Sequence, residues 1–446
     1  MQDSNWAKAR SSIVWIAAIV VAFGSVWWIE RQTGKELIAR EAPAAAAPAK
    51  RELPASPDLP AIPAPRALTT QEQQWARVAW SYFEHNTDAG TGLVSAVQGF
   101  PSTSLWDSGS SLLALLAARD LALIDEPEFD RRLSLALGSL ARLPLQGGVL
   151  PNKSYDVHTL QMTDYRNQPA PQGIGWSALD LGRLAVPLNI VVWRHPKHTE
   201  AVRRVLARWD TSALVQDGQL WGLQSGDGAS AQRVQEGRLG YEQYAARALG
   251  LLGLDLDVAG DPLVHLLLVD VQGIALPVDD RDAAQHGALN LATSEPWMLQ
   301  GLELGWTRHS RELAWRVYRA QEKRFQATGT LTAVTEDHVD QAPYFVYGTV
   351  WAAGQPWAVV TSKGEPLPQL RTLSTKAAFA WHALLRTPYT QQLVGAVAGL
   401  NDPAAGWYAG LYEAGGQPNQ SLNANTNAVV LESLAYMARG PLLQIR

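Results

Sequence analysis

The feature that most constrains this chain is a recurring alternation between two kinds of helical segment. Amphipathic helical runs recur from about residue 70 onward and group into six pairs. The first member of a pair, such as 310–327, is charged on one side, whereas the second, such as 375–385, is apolar on nearly every side. A helix that is apolar all round must be buried by others. The predicted fold class is therefore all-α: an (α/α)6 toroid with six inner helices inside six outer ones.

Helix boundaries follow from the apolar periodicity, and the insertions between helices carry strand patterns. In chain order the predicted pairs are 70–85 with 107–123, 127–143 with 175–193, 197–209 with 241–254, 261–268 with 296–306, 310–327 with 375–385, and 388–400 with 425–437. A β-hairpin is predicted at 215–224, because Asp217 and Gly218 form a two-residue turn signal. Extended, aromatic loop insertions are expected at 269–290, 332–370 and 406–413.

Residues 13–29 predict one transmembrane helix ahead of the toroid. This stretch carries no charge. As a helix it would extend roughly 26 Å, close to the ~30 Å hydrocarbon core of a bilayer. Lys8 and Arg10 precede it, which favours a cytoplasmic position for residues 1–12. A cleaved signal peptide is the alternative, but Trp27 and the residues after it do not form a small-residue cleavage site.

Residues 30–68 form an Ala/Pro-rich linker, and residues 69–446 are the predicted toroid domain. A linker of this composition cannot pack a core, so we expect it to be extended. The domain begins at Thr69 and Glu72, whose spacing matches a capping box before an apolar helical run. The expected location is the bacterial inner membrane, crossed once, with the toroid in the periplasm.

The composition excludes several classes of function. The net charge is −5 and no basic patch occurs, so nucleic acid is not an expected partner. Cysteine is absent, which excludes disulfides, a thiolate nucleophile and a cysteine-ligated metal. No motif indicates a cofactor or a metal. A bound Ca²⁺ is still compatible with the sequence, because scattered carboxylates and carbonyls are enough to bind it. The 18 tryptophans are unusual, because indole rings form flat surfaces for sugars as well as filling cores.

The inner helices of such a ring run in one direction, so their N-terminal ends share one face. Three carboxylates near those ends are the candidate catalytic residues: Asp107, Glu242 and Glu295. Glycoside hydrolysis requires two such groups, one protonated and one ionised. Each also has a structural interpretation, as a helix N-cap or a first-turn acid. Pro296 further predicts an extended backbone at Glu295.

Aromatic, amide and charged side chains near the same face are the candidate substrate-binding residues. Aromatic rings would stack on sugars and the polar groups would bind hydroxyls, although each is also a common core or capping residue. The set is Trp106, Trp176, Tyr241, Trp297, Lys376, Trp407, Tyr408, Glu413, Asn423 and Asn425.

Several motifs along the domain are specific enough to compare with known families. They are LWDSGSSLLAL, GIGWSALDLGRL, GRLGYEQYAARALGL, STKAAFAWHALLRTPYT, and GWYAGLYE followed by SLNANTNAVVLESLAY. Together they resemble the bacterial family catalogued as domain of unknown function 3131, over essentially the whole domain. The resemblance implies a glucoamylase-like toroid connected with envelope or exopolysaccharide functions. It supports the fold and the sugar connection more than a reaction, and it carries over no catalytic residue.

The sequence therefore predicts a glycoside hydrolase or transglycosidase acting on a bacterial envelope polysaccharide or exopolysaccharide. Paired carboxylates would supply acid and base, and analogy with other toroid glycosidases favours inversion. The alternative is a non-catalytic accessory protein that binds polysaccharide within a synthesis or export system. A polysaccharide lyase is a third interpretation, disfavoured because the sequence shows no clear arginine cluster for a uronate. The expected partners are a polysaccharide or oligosaccharide, the inner membrane and a polysaccharide synthase.

Overall fold

Two concentric rings of helices make up the computed structural model, which describes residues 53–225, 231–281 and 289–444. The twelve α-helices in these ranges are α1 Thr70–Asn86, α2 Leu105–Asp120, α3 Glu126–Leu140, α4 Ala178–Arg194, α5 Thr199–Leu206, α6 Tyr241–Gly250, α7 Asp257–Gly260, α8 Glu295–Leu299, α9 Arg308–Thr328, α10 Thr375–Leu385, α11 Pro388–Val397 and α12 Ala424–Arg439. The even-numbered helices contact one another in the order α2, α4, α6, α8, α10, α12 and back to α2. Each odd-numbered helix contacts this inner ring from outside. The predicted (α/α)6 toroid is confirmed.

Short β-strands fill the connections between helices. They are β1 Ser102–Ser104, β2 Leu145–Gln146, β3 Leu150–Pro151, β4 Ser154–Asp156, β5 Gly175–Trp176, β6 Val215–Gln216, β7 Gln219–Gln224, β8 Gln232–Gln235, β9 Leu266–Val271, β10 Ile274–Asp279, β11 Leu291–Ala292, β12 Glu336–His338, β13 Phe345–Gly348, β14 Trp351–Ala352, β15 Gln355–Pro356, β16 Val359–Val360, β17 Thr372–Ser374, β18 Asn401–Asp402, β19 Gly406–Tyr412 and β20 Pro418–Leu422. They pair into small antiparallel sheets. One strand ends shortly before each inner helix, namely β1, β5, β8, β11, β17 and β20. The face where the inner helices begin is therefore built largely from strands and loops.

The predicted hairpin and one predicted extended insertion are confirmed. Strands β6 and β7 pair around Asp217 and Gly218, whose φ angles of 54° and 71° suit a two-residue hairpin turn. The insertion at 406–413 contains β19, which pairs with β17, β18 and β20. This sheet lies beside the starts of α10 and α12 and helps to position them.

Two local predictions are wrong. The segment 261–268 is not a helix: α7 covers only Asp257–Gly260, and β9 begins at Leu266. A short apolar run does not distinguish a buried helix from a strand, and here pairing with β10 decides the outcome. Glu295 is helical rather than extended, because α8 begins at Glu295 with Pro296 inside its first turn.

An arginine lies at the centre of the inner ring. Arg183 of α4 is fully buried and forms an ion pair with Glu303, which follows α8. Its guanidinium also lies 2.8 Å from the Tyr244 hydroxyl and 3.3 Å from Glu432 of α12. Burial, and then the charge of Glu303, raises the pKa of Glu432 well above its ordinary value. The buried guanidinium thus lies between two acidic side chains at the centre of the ring.

The end of the Ala/Pro-rich linker lies against the toroid. Glu312 of outer helix α9 accepts hydrogen bonds from the backbone and hydroxyl of Ser56, at 3.0 and 2.6 Å. Trp315 of the same helix donates to Asp58 at 3.0 Å. Residues 54–60 therefore run along the outside of the ring, with a turn at 57–58 that is closed by a hydrogen bond from the N–H of Leu59 to the carbonyl of Ser56 at 3.3 Å.

The predicted transmembrane segment at 13–29 lies outside the described residues. Within the described ranges, no helix is both long and apolar enough to cross a bilayer.

Candidate active site

Strand β12 divides three consecutive polar residues between two sides. Glu336 and His338 share one side and Asp337 takes the other, because side chains alternate along a strand. Asp337 is buried and accepts hydrogen bonds from the hydroxyls of Ser374 at 3.1 Å and Thr372 at 3.3 Å. Glu336 and His338 are only half-buried. Each is partly exposed yet surrounded by protein, so we infer that they line a cleft at the face where the inner helices begin.

Groups at the starts of inner helices surround the carboxyl of Glu336. Burial, and then the charge of Glu295, raises the pKa of Glu336 to about 7, although Lys376 and Arg238 oppose the rise. Burial and the charge of Glu336 in turn raise the pKa of Tyr241 well above its ordinary value. A carboxyl that is partly protonated at neutral pH can act as a general acid.

Glu295 itself is fully buried and held by three partners. Its carboxylate oxygens lie 2.5 Å from the Lys376 ammonium and 2.7 Å from the hydroxyl of Thr335. The side-chain amide of Asn425 also donates to Glu295 at 2.7 Å, and Ser110 donates to Asn425 at 3.2 Å. With these contacts Glu295 has no open side for a substrate. We therefore assign it an electrostatic role beside Glu336, which corrects its placement among the catalytic residues.

A second carboxyl with a raised pKa lies at the start of α4. Asp180 lies in the first turn of α4 and is half-buried. Burial, and then the charge of Glu236, raises the pKa of Asp180 to about 7, and Asp107 and Glu336 add to the rise. Glu236 caps α4 by accepting from Ser177 at 2.9 Å. Because the charge of Glu336 acts on Asp180, we infer that the two carboxyls share one cleft, although one belongs to α4 and the other to β12.

Asp107 lies next to Asp180 at the start of α2. Its carboxylate accepts a hydrogen bond from the hydroxyl of Ser104 at 2.6 Å. Among the described residues no lysine or arginine forms an ion pair with it. Asp107 is itself buried, and its charge contributes to the raised pKa of Asp180.

Glu242 does not join this group. It is buried and its carboxylate pairs with Arg281 at 2.8 Å, which itself pairs with Asp279 at 2.6 Å. The backbone N–H of Leu220 and the Gln235 amide donate to the same carboxylate, at 3.4 and 3.3 Å. These contacts tie α6 to the neighbouring strands. The prediction of Glu242 as a catalytic acid is not supported by its position.

Three tryptophans that the sequence assigns to sugar stacking lie in the core. Trp176, Trp297 and Trp407 are all buried. Trp407, for example, packs against Phe379 with ring centroids 4.9 Å apart. A ring whose faces are covered by protein cannot stack on a sugar, so these three assignments are corrected.

Among the other seven predicted binding residues, Tyr241 is buried, as are Lys376 and Asn425, which bind Glu295. The other four differ in their surroundings. Trp106 is half-buried and lies beside Tyr241 at the cleft, with ring centroids 5.9 Å apart. Tyr408 is half-buried on β19. Glu413 is held by two arginines at 2.6 and 3.2 Å. Asn423 is buried and caps α12. Of these four, Trp106 is the one that contacts a residue of the cleft wall.

One group within the described ranges has the spacing of metal ligands. The ligand atoms of His265, Asp279 and Asp280 lie within 4.8 Å of one another. Asp279, however, is bound at both oxygens by Arg281, at 2.8 and 2.6 Å. That guanidinium already supplies a positive charge to the group.

The site residues that the sequence analysis missed are Glu336, His338 and Asp180. Asp180 carried a usable signal, because it occupies the same first-turn position as Asp107 on the adjacent inner helix. Glu336 and His338 lie within the predicted insertion at 332–370, where no pattern indicated which side chains face the cleft.

Nearly the whole toroid matches a known protein family. The model of the family described as "Protein of unknown function (DUF3131)" matches residues 74–440. The chain belongs to this family. The resemblance indicated by the motifs is thereby confirmed, and the matched range of this DUF3131 protein includes all the cleft residues. No curated protein matches the sequence.

Solved structures with the same fold include enzymes that act on glucans. A candidate glucoamylase from Bacteroides fragilis has a TM-score of 0.61 at 12% identity, covering 84% of this chain and 93% of its own. An endo-β-1,2-glucanase from Chitinophaga pinensis, in complex with sophorotriose and glucose, has a TM-score of 0.59 at 11% identity, with 84% and 94% covered. An endo-β-1,2-glucanase from Talaromyces funiculosus, with β-1,2-glucan, has a TM-score of 0.54 at 11% identity, with 84% of each chain covered. At such low identities the similarity establishes the fold of the DUF3131 domain.

Proposed function

We propose that this DUF3131 protein cleaves glycosidic bonds in a polysaccharide, with Glu336 as the acid and Asp180 as the base. One observation carries the proposal: two half-buried carboxyls, one from β12 and one from α4, act on each other electrostatically and both have a pKa raised to about 7. Strongly perturbed carboxyls in a cleft mark candidate active sites. The glucanases that share the fold support a glucan as the substrate, and β-1,2-linked glucan is the first to test.

The proposed reaction follows from the two protonation states. Protonated Glu336 donates its proton to the glycosidic oxygen as the bond from that oxygen to the anomeric carbon breaks. Ionised Asp180 removes a proton from a water molecule, whose oxygen bonds to the anomeric carbon from the other side. In a transglycosidase a sugar hydroxyl would replace that water. A water activated by the second carboxyl is the arrangement of an inverting enzyme, so we expect inversion.

Asp107 keeps a place in this proposal as a positioning residue. Its negative charge is one cause of the raised pKa of Asp180, so Asp107 makes Asp180 a stronger base. Trp106 is half-buried and packs against the buried ring of Tyr241, so we propose that Trp106 contacts the bound sugar.

The activity should have a narrow optimum near pH 7. Below this pH Asp180 gains a proton and can no longer act as a base, so kcat/KM falls. Above it Glu336 loses the proton that it must donate, so kcat/KM falls again. Initial rates from pH 4 to 10 test this. A rate that stays constant through neutrality would exclude these two groups as the acid and base.

The experiment that tests the function is an assay of reducing ends. The full chain, purified in detergent, is incubated with linear β-1,2-, β-1,3- and β-1,4-glucans and with bacterial exopolysaccharides. Release of reducing ends from at least one polymer supports the proposal. Tight binding to a polymer without turnover would instead favour the non-catalytic accessory protein.

We further propose that residues 13–29 anchor this protein in the inner membrane, with the toroid and its cleft facing an envelope polysaccharide. The support is the uncharged, tryptophan-flanked stretch with lysine and arginine before it. The full chain should sediment with bacterial membranes and resist extraction by carbonate, whereas a variant lacking residues 1–29 should not. Release of the full chain by carbonate would contradict the anchor.

A further inference from the structure

Two tyrosines are far more exposed than the other aromatic side chains near the cleft. Tyr165 and Tyr344 are each 65% exposed, whereas Trp106 is half-buried and Tyr241 is buried. A single exposed aromatic ring is ordinary on a protein surface. These two differ because each is held on a rigid turn and each lies beside one of the proposed catalytic walls.

Tyr165 is displayed by a turn that closes on the carboxylate of Asp164. One oxygen of that carboxylate accepts from the backbone N–H groups of Arg166 and Gln168, both at 2.8 Å. The same turn lies against the segment that leads into α2, because the side-chain amide of Asn167 donates to the carbonyl of Pro101 at 3.3 Å. Tyr165 is therefore displayed near the start of α2, the inner helix that packs against α4 and Asp180, and much of its side chain is open to solvent.

Tyr344 is held in a conformation that suits glycine better than tyrosine. Its φ angle is +70°, in the left-handed region that bulky residues rarely adopt. The backbone is fixed there because the N–H of Tyr344 donates to Gln341 at 2.8 Å and its carbonyl accepts from Val339 at 3.1 Å. Val339 follows His338 directly, so Tyr344 lies beside the Glu336 wall. Strained residues cluster at functional sites, because ordinary selection for stability would replace them.

We propose that Tyr165 and Tyr344 are sugar-binding platforms, one on each side of the bond that is cleaved. This inference rests on the proposed function, since it places the two rings on either side of the carboxyl pair. The exposed face of a tyrosine ring stacks on the apolar face of a pyranose, and its hydroxyl binds a sugar hydroxyl. Both rings therefore contact the polymer beyond the sugar units that react.

The polymer expected on these platforms is the one of the proposed function, an uncharged polymer of pyranose units such as a glucan. Stacking requires only the apolar face of a pyranose ring. The charges of Lys153 and Arg238 act on Asp180 and Glu336, so both signs of charge are present beside the two carboxyls. A polyuronate is therefore included in the test as the acidic comparison.

The test uses Tyr165→Ala and Tyr344→Gly in the full chain, with Trp193→Ala as the matched control. Trp193 is 53% exposed but lies at the C-terminal end of α4, away from the end that carries Asp180. Loss of one stacking contact should raise KM for the cleaved glucan about three- to tenfold and leave kcat within about twofold. Because glycine relieves the backbone strain, Tyr344→Gly should not lower the thermal midpoint, which separates lost binding from lost folding.

Binding and turnover are measured together, because the combined result distinguishes failure of the tyrosine platforms from failure of the proposed hydrolysis. Affinity electrophoresis in β-1,2-, β-1,3- and β-1,4-glucan gels and in a polyuronate gel measures binding, and reducing ends measure turnover. If the wild type binds a glucan without cleaving it and both tyrosine variants bind more weakly, the two tyrosines bind sugar as proposed. The proposal that the protein is a hydrolase is then contradicted. If the wild type cleaves a glucan and both variants keep its KM, the protein is a hydrolase as proposed. The proposal that the two tyrosines bind the polymer is then contradicted. Binding to the polyuronate alone, or to none of the polymers, overturns the platforms.

Discussion

Replacing Glu336 by glutamine is expected to lower kcat by about 10²- to 10⁴-fold, the usual contribution of a general acid. Glutamine has nearly the same shape but cannot donate a proton to the glycosidic oxygen. The alkaline limb of the pH profile, which reports deprotonation of Glu336, should disappear with it. The measurement is the initial rate of reducing-end release at saturating glucan, from pH 4 to 10.

Glu84→Gln is the matched control for this experiment. Glu84 is an exposed glutamate on outer helix α1, so the same chemical change there should leave kcat unchanged. Glu336→Gln protein that keeps more than about a tenth of the wild-type kcat would show that another group protonates the leaving oxygen.

Replacing Arg183 by methionine is expected to destabilise the toroid by about 3–5 kcal/mol, because a buried charge is left without its partner. Arg183 is fully buried and pairs with Glu303, so its loss strands that carboxylate in the centre of the ring. The free energy of unfolding from urea titration measures the effect. Replacing Glu303 and Glu432 by glutamine in the same chain should restore part of the lost stability, because the stranded charge is then removed.

Arg131→Met supplies the comparison. Arg131 pairs with Glu128 on the surface of α3, with 59% of the arginine side chain exposed. An exposed pair contributes about 0–1 kcal/mol, so this variant should unfold almost as the wild type does. Equal losses for Arg131→Met and Arg183→Met would mean that the central ion pair does not hold the ring together.

The two rings of helices were predictable because buried and partly exposed helices have different patterns of apolar residues. The inner helix α10 is buried along nearly its whole length, and its residues are apolar or small almost throughout. The outer helix α9 alternates charged and apolar positions as an outer helix must. Even the start of the domain was visible, since Thr69 and Glu72 form the capping box that their spacing predicts.

The catalytic assignments were less predictable because they depend on partners far along the chain. Glu242 and Glu295 are first-turn acids of inner helices, as Asp180 is. What separates them is that Arg281 pairs with Glu242 and Lys376 pairs with Glu295. No local pattern records these ion pairs, so the sequence could not show which acid remains open to a substrate.

The strands within the insertions limited the prediction of the site for a different reason, which is their pairing register. Glu336 faces the cleft because β12 pairs with β13, placing Glu336 opposite Tyr347. A shift of one residue in that register would turn Asp337 toward the cleft instead. Likewise, tryptophan content alone did not tell Trp106 at the cleft from Trp407 in the core, since indole rings serve both purposes.

The most direct test of the account is the structure of the full chain carrying Glu336→Gln, bound to an oligosaccharide of the glucan that the wild type cleaves fastest. We expect one glycosidic oxygen within hydrogen-bond distance of the side chain at position 336, with Asp180 facing the anomeric carbon from the other side. An oligosaccharide bound away from both side chains, or bound with Asp180 turned from the anomeric carbon, would contradict the assignment of this cleft as the site of cleavage.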